Sequence, residues 1–288
     1  MSDTFWQRFR RGGRRLLARP DWARFAGADW ADRVMGVAVT DRFHAKQGRS
    51  TGRWVLAEGA GRLAVYLKRH YRLPWRHGLL ALLWPDAAWS PALQESRNLA
   101  WARREGFAVP DVVAAGQYVG PGLRLQSFLA VEELHDMLPL NEAIPLAARE
   151  LEPTTFGRWK RSLTAELARI SRALHRRRFF HKDLYLCHFY VPRADTARPV
   201  EWHGRVHLID LHRLARHPLM WRVWQVKDLA QLLYSSEVEG IGPSDRLRFW
   251  RVYLGGAEYG FVARWLRRAV CWKWGRYRQH NLKKRGLQ

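Results

Sequence analysis

The stretch Phe179–Pro192 reads F-F-H-K-D-L-Y-L-C-H-F-Y-V-P and places His181, Asp183 and His188 in a short loop between two apolar runs. Rigid flanking strands fix the geometry of such a loop, and reactive side chains are often found there. A second carboxylate, Asp210, ends the next apolar run of the chain. We expect a surface turn and a returning strand to bring the two aspartates together.

The residue order in this part of the chain is that of a kinase catalytic core: His-x-Asp, a residue with ligand capacity five positions later, and then a strand-terminal Asp. The run His181–Val191, followed by Leu-Ile-Asp-Leu-His-Arg at 208–213 and Lys-Asp-Leu at 227–229, resembles the Kdo/WaaP-type lipopolysaccharide kinase family. It is most similar to the branch that phosphorylates an inner-core heptose. The matching motifs extend over residues 60–255.

This resemblance implies an α+β, protein-kinase-like fold with two lobes. Residues 1–134 would form a small β-rich N-terminal lobe with one helix, preceded by a basic N-terminal helix that contains Phe5, Phe9, Leu16 and Leu17. That N-terminal helix could attach to a membrane surface or pack as an ordinary solvated helix on its lobe. Residues 135–288 would form a larger helical catalytic lobe with a basic tail.

The resemblance also implies ATP and Mg²⁺ as cofactors and a role for each loop residue. Asp183 would orient the acceptor hydroxyl, and His181 would brace the loop. Asp210 would bind the metal. His188 occupies the position where protein kinases carry an Asn that binds a second metal, so it is a second candidate ligand, although magnesium prefers oxygen. Asp228 would be a buried structural residue that hydrogen-bonds the loop.

The nucleotide-binding residues are predicted upstream of the loop. The segment 62–68 alternates in polarity, so Lys68 projects from the face of a strand opposite its apolar side chains. Ser90-Pro91 is a typical helix start, and Glu95 lies on the apolar face of that helix, where a buried carboxylate requires a cation such as Lys68. The alternatives are an edge lysine and a solvated glutamate.

Two weaker nucleotide contacts are predicted from backbone features. A turn over Gln47–Gly52, between two short strands, would let Gly48 and Gly52 bring backbone N–H groups close to phosphates. A plain hairpin is the alternative. Glu132 would begin a hinge that binds adenine through its backbone.

The segment between Asp210 and the next helix is too short for a peptide-binding platform and lacks Ala-Pro-Glu. A glycan acceptor therefore fits better than a protein. Arg213, Arg216 and Arg222 are predicted to bind anionic sugars, although a solvated basic segment would have the same composition.

Composition points to an anionic partner. Fifty Lys plus Arg residues against 26 Asp plus Glu give a net charge of +24. Sixteen Trp and nine Tyr residues favour a membrane interface or stacking on sugars. With the resemblance, we expect a lipopolysaccharide core glycan as acceptor, the anionic inner face of the cytoplasmic membrane as a peripheral docking surface, and no nucleic-acid partner. Two cysteines, no secretory signal and no apolar run long enough to span a bilayer agree with a cytoplasmic location.

Two other functions fit part of the pattern. A metal-dependent phosphohydrolase could use the His and Asp residues as a metal cluster, but it would leave Lys68 and Glu95 without a role. A kinase-like binding module without activity would not need an intact set of lysine, glutamate and two aspartates.

Overall fold

The computed structural model describes residues 5–44, 48–255 and 260–284 of the chain. The chain forms two units. Unit 1 comprises Met1–Glu105 and Val109–Leu134, and unit 2 comprises Gly106–Ala108 and His135–Gln288.

Unit 1 is built on a six-stranded sheet in which every neighbouring pair is antiparallel. The strands are β1 (Gly13–Ala18), β2 (Thr40–His44), β3 (Arg49–Glu58), β4 (Gly61–His70), β5 (Val112–Gly120) and β6 (Arg124–Glu132). Their order across the sheet is β1-β5-β6-β4-β3-β2. The central position of β4 places Lys68 in the middle of the sheet.

The alternation predicted for β4 is confirmed. Leu63, Val65 and Leu67 are buried, whereas Tyr66 and Lys68 lie on the other face and are less buried. The buried face packs against the apolar side chains of the segment between β1 and β2, including Trp22, Ala26 and Val34. Burial of this face fixes the register of β4, since a shift by one residue would exchange its two faces.

Unit 1 contains more helices in its described residues than the two predicted. They are α1 (Phe5–Arg11), α2 (Trp22–Ala26), α3 (Trp30–Arg33), α4 (Trp75–Leu83) and α5 (Pro91–Arg104). The predicted start of α5 is confirmed, because the Ser90 hydroxyl accepts a hydrogen bond from the Leu93 N–H over 3.3 Å. The short helices lack the length over which a helical period can be recognised.

The predicted N-terminal helix is correct for Phe5 and Phe9 but wrong for Leu16 and Leu17, which lie in β1. Strand β1 pairs with β5, and Leu16 lies opposite Gly116. A Cβ at Gly116 would be 2.7 Å from Leu16 Cδ2, so the glycine makes room for β1 to pair there. Tertiary pairing thus overrides the local helical pattern.

The predicted turn over Gln47–Gly52 is also misplaced. Strand β3 already begins at Arg49, and Gly52 pairs with Asp41 on one side and with Leu67 on the other. Gly48 has a φ of +57° directly before β3, and Gln47 lies outside the described residues. Strand β3 is longer than predicted because the ten-residue β4 offers a backbone partner to each of its residues.

Unit 2 is mainly helical. Its helices are α6 (Leu140–Glu150), α7 (Pro153–Arg176), α8 (Trp221–Ser235), α9 (Pro243–Leu254) and α10 (Phe261–Lys284). The predicted apolar stripe of α7 is confirmed, because its members are all buried: Leu163, Leu167, Ile170 and Leu174. No helix in the described part of the chain is both long enough and apolar enough to span a bilayer.

Five short strands in the described part of unit 2 hold the loop that carries His181, Asp183 and His188. They are β7 (Met137–Pro139), β8 (Phe179–Phe180), β9 (Phe189–Pro192), β10 (His207–Leu208) and β11 (Ala215–Arg216). The predicted returning strand is β10, which pairs antiparallel with β9. The strand before the loop, β8, pairs with β11. The loop is therefore held at both ends by backbone ladders.

Candidate active-site residues

In unit 1, the structure brings Lys68 and Glu95 together. The Lys68 ammonium donates a hydrogen bond to Glu95 Oε1 over 2.7 Å. The Glu95 side chain is only 5% exposed, whereas that of Lys68 is 23% exposed. A buried carboxylate is stable when it is paired with a cation, so Glu95 holds the lysine in one orientation while part of the lysine side chain stays exposed.

In unit 2, Asp228 of α8 fastens the start of the loop. Its carboxylate accepts one hydrogen bond from the His181 N–H and one from the Lys182 N–H, each over 2.8 Å. Asp228 is fully buried and also lies 3.4 Å from His175 Nε2. Lys182 adopts a φ of +67°, which is uncommon for a residue with a side chain. Such strain persists where surrounding contacts over-determine the backbone.

Two further residues of α8 hold the rest of the loop. The Gln231 side-chain carbonyl accepts from the Leu184 N–H over 3.2 Å, and its amide donates to the Tyr185 hydroxyl over 3.0 Å. The Ser235 hydroxyl accepts from the Leu186 N–H over 2.9 Å. Helix α8 thus supplies partners to backbone groups along the whole loop. No pattern in the sequence indicates these roles for Gln231 and Ser235, because their loop partners lie 47 and 49 positions earlier in the chain.

His181 is a buried bracing residue. Its Nε2 hydrogen-bonds the Ile209 carbonyl over 3.0 Å, while Nδ1 is buried without a partner among the described residues. Burial lowers the pKa of His181 below its usual value, because a charged imidazole would lose its hydration. The neutral ring ties the loop to the residue that precedes Asp210.

Asp183 lies in this anchored loop with its side chain 20% exposed. Arg213 Nη1 donates to both of its carboxylate oxygens, over 3.0 and 2.9 Å. The Gln231 amide is 3.5 Å from Oδ1. The carboxylate is held in place from two sides while part of it stays accessible.

Asp210 lies at the end of β10 between two histidines. Its φ of +60° and ψ of +53° place it in the left-handed region. One oxygen is 2.8 Å from His212 Nδ1 and the other is 3.7 Å from His188 Nε2. His188 Nδ1 also hydrogen-bonds the Asp183 carbonyl over 2.6 Å, so this ring lies between the two aspartates.

The pKa of His188 reflects opposing influences. Burial lowers it, but a hydrogen bond with Cys187, the Asp183 carbonyl and the charge of Asp210 outweigh burial, and the pKa is raised above its usual value. The bond from Nδ1 to the Asp183 carbonyl fixes the ring orientation and turns Nε2 towards Asp210.

The carboxylate of Asp210 is a ligand type that suits magnesium, whereas the imidazoles of His188 and His212 beside it are ligands typical of transition metals. Magnesium commonly binds through one or two carboxylates, and waters and substrate phosphates complete its octahedral shell. Asp210, 29% exposed, offers such a carboxylate. Within residues 5–44, 48–255 and 260–284, no three His, Cys, Asp or Glu side chains are grouped as a metal site. The His/Asp cluster of the phosphohydrolase alternative therefore does not form in the described residues.

The backbone N–H of Glu132, the first residue of the predicted adenine hinge, is already engaged. Its N–H bonds the Asp111 carbonyl over 2.8 Å. Its carboxylate accepts from Arg19 Nη1 over 2.5 Å. Gly52 is likewise engaged in the β2–β3–β4 ladder rather than in a phosphate-binding turn. Gly48 lies directly before β3 and accepts a hydrogen bond from the Tyr71 N–H over 2.8 Å; its phosphate contact stays a prediction.

The three predicted acceptor arginines lie in different surroundings. Arg213 contacts Asp183, as described above. Arg222 donates to Gln225 over 2.9 Å and lies over the ring of Trp221. Arg216 is exposed in β11. Of these arginines, Arg213 contacts the loop, through the carboxylate of Asp183.

A family model described as "Lipopolysaccharide kinase (Kdo/WaaP) family" matches residues 41–253. The chain belongs to this family. Membership confirms the predicted family, the kinase-like α+β fold and the phosphotransferase class. The match spans the Lys68–Glu95 pair, the Asp183 loop and Asp210.

Three curated relatives that match this chain carry the name lipopolysaccharide core heptose(I) kinase WaaP. The protein from Pseudomonas aeruginosa is 33% identical over 208 residues, which cover 72% of this chain and 74% of the relative. The protein from Escherichia coli K12 is 34% identical over 129 residues, or 45% of this chain and 47% of the relative. A solved structure of WaaP in complex with acyl carrier protein matches with a TM-score of 0.63 and 28% identity, covering 90% of this chain and 99% of that one.

Proposed function

We propose that this chain transfers the γ-phosphoryl group of ATP to a hydroxyl of a heptose in the inner core of lipopolysaccharide. The observation that carries the proposal is the anchored loop, which fixes Asp183 close to the carboxylate of Asp210 through His188. The heptose follows from the names of the curated relatives. Each residue role below is part of the same proposal.

The Asp183 carboxylate accepts a hydrogen bond from the hydroxyl of the sugar and orients that hydroxyl for attack on the γ-phosphorus. As the new P–O bond forms, the bond to the β–γ bridging oxygen breaks and ADP leaves, and the hydroxyl proton passes to the Asp183 carboxylate. Positioning and charge neutralisation supply most of the catalysis in this type of reaction. The partial exposure of Asp183 leaves room for the acceptor.

Lys68 holds the α- and β-phosphates, and Glu95 keeps its ammonium in place over 2.7 Å. Asp210 holds Mg²⁺, with His188 as a second candidate ligand. When bound, the metal neutralises the negative charge of the phosphates. His181 keeps the loop in position from its buried site.

The test is transfer of labelled phosphate from ATP to heptose-containing core glycans by Asp183→Asn. We expect turnover to fall about 10² to 10⁴-fold while nucleotide binding persists, since the substitution removes the proton acceptor and keeps the shape. Asp136→Asn is the matched control, because Asp136 is an exposed carboxylate of unit 2 that also faces an arginine, Arg193 at 3.5 Å. Near-normal turnover by Asp183→Asn would exclude the assigned role.

We also propose an acyl carrier protein as a partner, because the solved WaaP neighbour was determined in complex with one. Unit 2 contains an apolar cavity of about 340 Å³ lined by side chains of α7, α8, α9 and α10. Leu229, Leu232 and Val270 give it an apolar wall suited to an acyl chain, and Arg246 and Arg267 add positive charge. Leu186 of the catalytic loop also lines it.

The partner proposal is tested by the affinity for acylated carrier protein in Leu232→Trp, which fills the cavity. We expect weaker binding than in the control Leu219→Trp, whose leucine is 92% exposed. Equal affinities of the two variants, with unchanged circular dichroism, would remove the cavity from the proposal.

The membrane-surface partner is proposed on the outward face of α10. Phe261, Trp265 and Trp272 recur at helical spacing on one face and are 76%, 45% and 64% exposed. Arg268 falls on the same face, and Arg276 lies over Trp272 at 5.2 Å. The helix sequence contains no Asp or Glu. Exposed aromatic rings flanked by cations are typical of helices that lie on anionic lipid headgroups.

A further inference from the structure

Two lysine ammonium groups of unit 2 share one indole ring beside the loop. Lys182 Nζ lies 4.7 Å from the ring centroid of Trp224, and Lys227 Nζ lies 5.2 Å from it. The His217 ring stacks on the same indole with centroids 4.8 Å apart. We call Lys182 and Lys227 the lysine pair and Trp224 its platform.

Neither ammonium of the lysine pair has a hydrogen-bond or ion-pair partner among the described residues; their described contacts are with the platform. The neighbouring carboxylates are already engaged. Asp183 is paired with Arg213, and Asp228 accepts the two backbone N–H groups of the loop. The pair is a concentration of positive charge without a matching anion in this part of the chain.

The electrostatics of the pair agree with this geometry. Burial lowers the pKa of Lys182 and of Lys227, and the nearby charge of Arg213 lowers both further; together these effects outweigh the charges of Asp183 and Asp228, which raise both pKa values. Lys227 is also lowered by Lys182, so the two ammonium groups repel each other. A bound anion relieves the repulsion between such cations, and the attraction between opposite charges is stronger in a half-buried position than in water.

The fold holds the pair in this crowded position. The backbone of Lys182 has a φ of +67° and its N–H is bound by Asp228, while Lys227 is the residue before Asp228 on α8. Asp228 therefore joins the two backbone segments that carry the lysines. The charge of Asp183 acts on both ammonium groups, so an anion bound by the pair lies close to the group proposed to orient the acceptor.

We propose that Lys182 and Lys227, on the Trp224 platform, bind an anionic group of the acceptor glycan, a carboxylate or a phosphate, close to the hydroxyl that Asp183 orients. This inference rests on the proposed sugar-kinase function and specifies its acceptor as an acidic glycan. It assigns recognition of the acceptor to the lysine pair in place of Arg216 and Arg222. Ammonium groups form strong, charge-assisted hydrogen bonds with either anion.

The experiment measures kcat and KM for both substrates in Lys182→Gln, in Lys227→Gln and in the double variant. We expect the acceptor KM to rise about tenfold or more in each single variant, as expected for loss of a charge-assisted hydrogen bond. The KM for ATP should stay within about twofold. Lys273→Gln is the matched control, because its ammonium also lies over an aromatic ring, Tyr277 at 5.4 Å, on α10.

Two modified acceptors identify the anion. If a carboxylate binds, a carboxyl-reduced glycan raises the acceptor KM of the unmodified protein and gives no further rise in the double variant. If a phosphate binds, a dephosphorylated glycan raises the acceptor KM of the unmodified protein and gives no further rise in the double variant. An unchanged acceptor KM in the double variant, or a rise in the ATP KM alone, overturns the inference.

Failure of the proposed function is recognised separately. If the unmodified protein transfers no phosphate to any core glycan, calorimetry without ATP measures the affinity of the unmodified protein and of the double variant for the glycan. Weaker binding by the double variant then supports the lysine pair independently of transfer. Equal binding overturns the inference.

Discussion

At the scale of single residues, Asp183 and Asp210 differ in the side chains that contact them. Asp183 is held by Arg213 and stays partly open, which suits a group that receives a hydroxyl. Asp210 has a histidine nitrogen near each of its oxygens and a left-handed backbone. The proposed acceptor and metal roles rest on the order of the two aspartates in the kinase-like motif.

We predict that Asp210→Ala abolishes the stabilisation that Mg²⁺ and ATP confer on the protein. A ligand that binds the folded state raises Tm by mass action, so loss of the metal carboxylate removes that rise. Thermal denaturation with and without Mg²⁺ and ATP measures it. Asp183→Asn serves as the comparison and should keep the rise; an equal rise in Asp210→Ala would show that another group binds the metal.

The residue types of the site could be predicted from sequence, but several of their partners could not. His181, Asp183 and Asp210 stand in one local motif, so their order alone indicates their chemistry. Arg213 and Gln231 reach Asp183 through a short strand pair and a distant helix, and no local pattern encodes such contacts. The Lys68–Glu95 contact could be predicted, because the alternation of β4 and the capped start of α5 indicate the direction in which each side chain points.

At the scale of secondary-structure elements, α8 acts as the support of the loop. Asp228, Gln231 and Ser235 lie at successive turns of the helix and accept hydrogen bonds from four loop N–H groups. A buried N–H that loses its partner carries a cost of about 1 to 3 kcal/mol. The helix therefore contributes to the stability of unit 2 and to the geometry of the loop at once.

We predict that Asp228→Asn lowers the free energy of unfolding by about 1.5 to 3 kcal/mol, the cost typical of losing a charge-assisted hydrogen bond. Transfer activity should fall with it, because the loop loses its anchor. Urea denaturation is the measurement. Glu239→Gln is the control: its ion pair with Arg149 is exposed on both sides, and such pairs contribute about 0 to 1 kcal/mol. Equal stabilities of the two variants would contradict the role of Asp228.

Elements with a long period or a capped end were predictable, whereas short ones were not. The stripe of α7 and the Ser90 cap of α5 are local signals that the structure confirms. Strand β1 was predicted as helix because its pairing with β5 depends on Gly116, far along the chain. The turn before β3 was misplaced because the length of β4 decides where pairing begins.

At the scale of the whole molecule, the net charge of +24 favours association with anionic partners. Charge alone attracts any polyanion, so specificity requires exposed groups with a particular chemistry. The outward face of α10 offers such groups, since it combines large aromatic rings with arginines.

We predict that the double variant Trp265→Ala/Trp272→Ala binds anionic vesicles more weakly than the unmodified protein. The aromatic rings supply apolar contact, and each basic residue near such a surface contributes about 1 kcal/mol that salt screens. Co-sedimentation with phosphatidylglycerol vesicles at two salt concentrations measures the change. The control is Trp84→Ala, which removes a tryptophan of unit 1 that is 56% exposed.

Two outcomes would contradict the α10 surface. One is an equal loss of binding in Trp84→Ala and in the double variant. The other is tight binding of nucleic acid by a protein that does not sediment with the vesicles.

The anchoring of the loop by α8 has a consequence for biosynthesis. The loop leaves the ribosome before the residues that hold it, since Asp228 and Ser235 follow His181 and Leu186 by 47 and 49 positions. A nascent chain that has reached Asp210 already carries both aspartates but has no partners for the loop N–H groups. Translation must therefore pass Ser235 before the loop can order, so a shorter nascent chain is inactive and presents that segment to proteases.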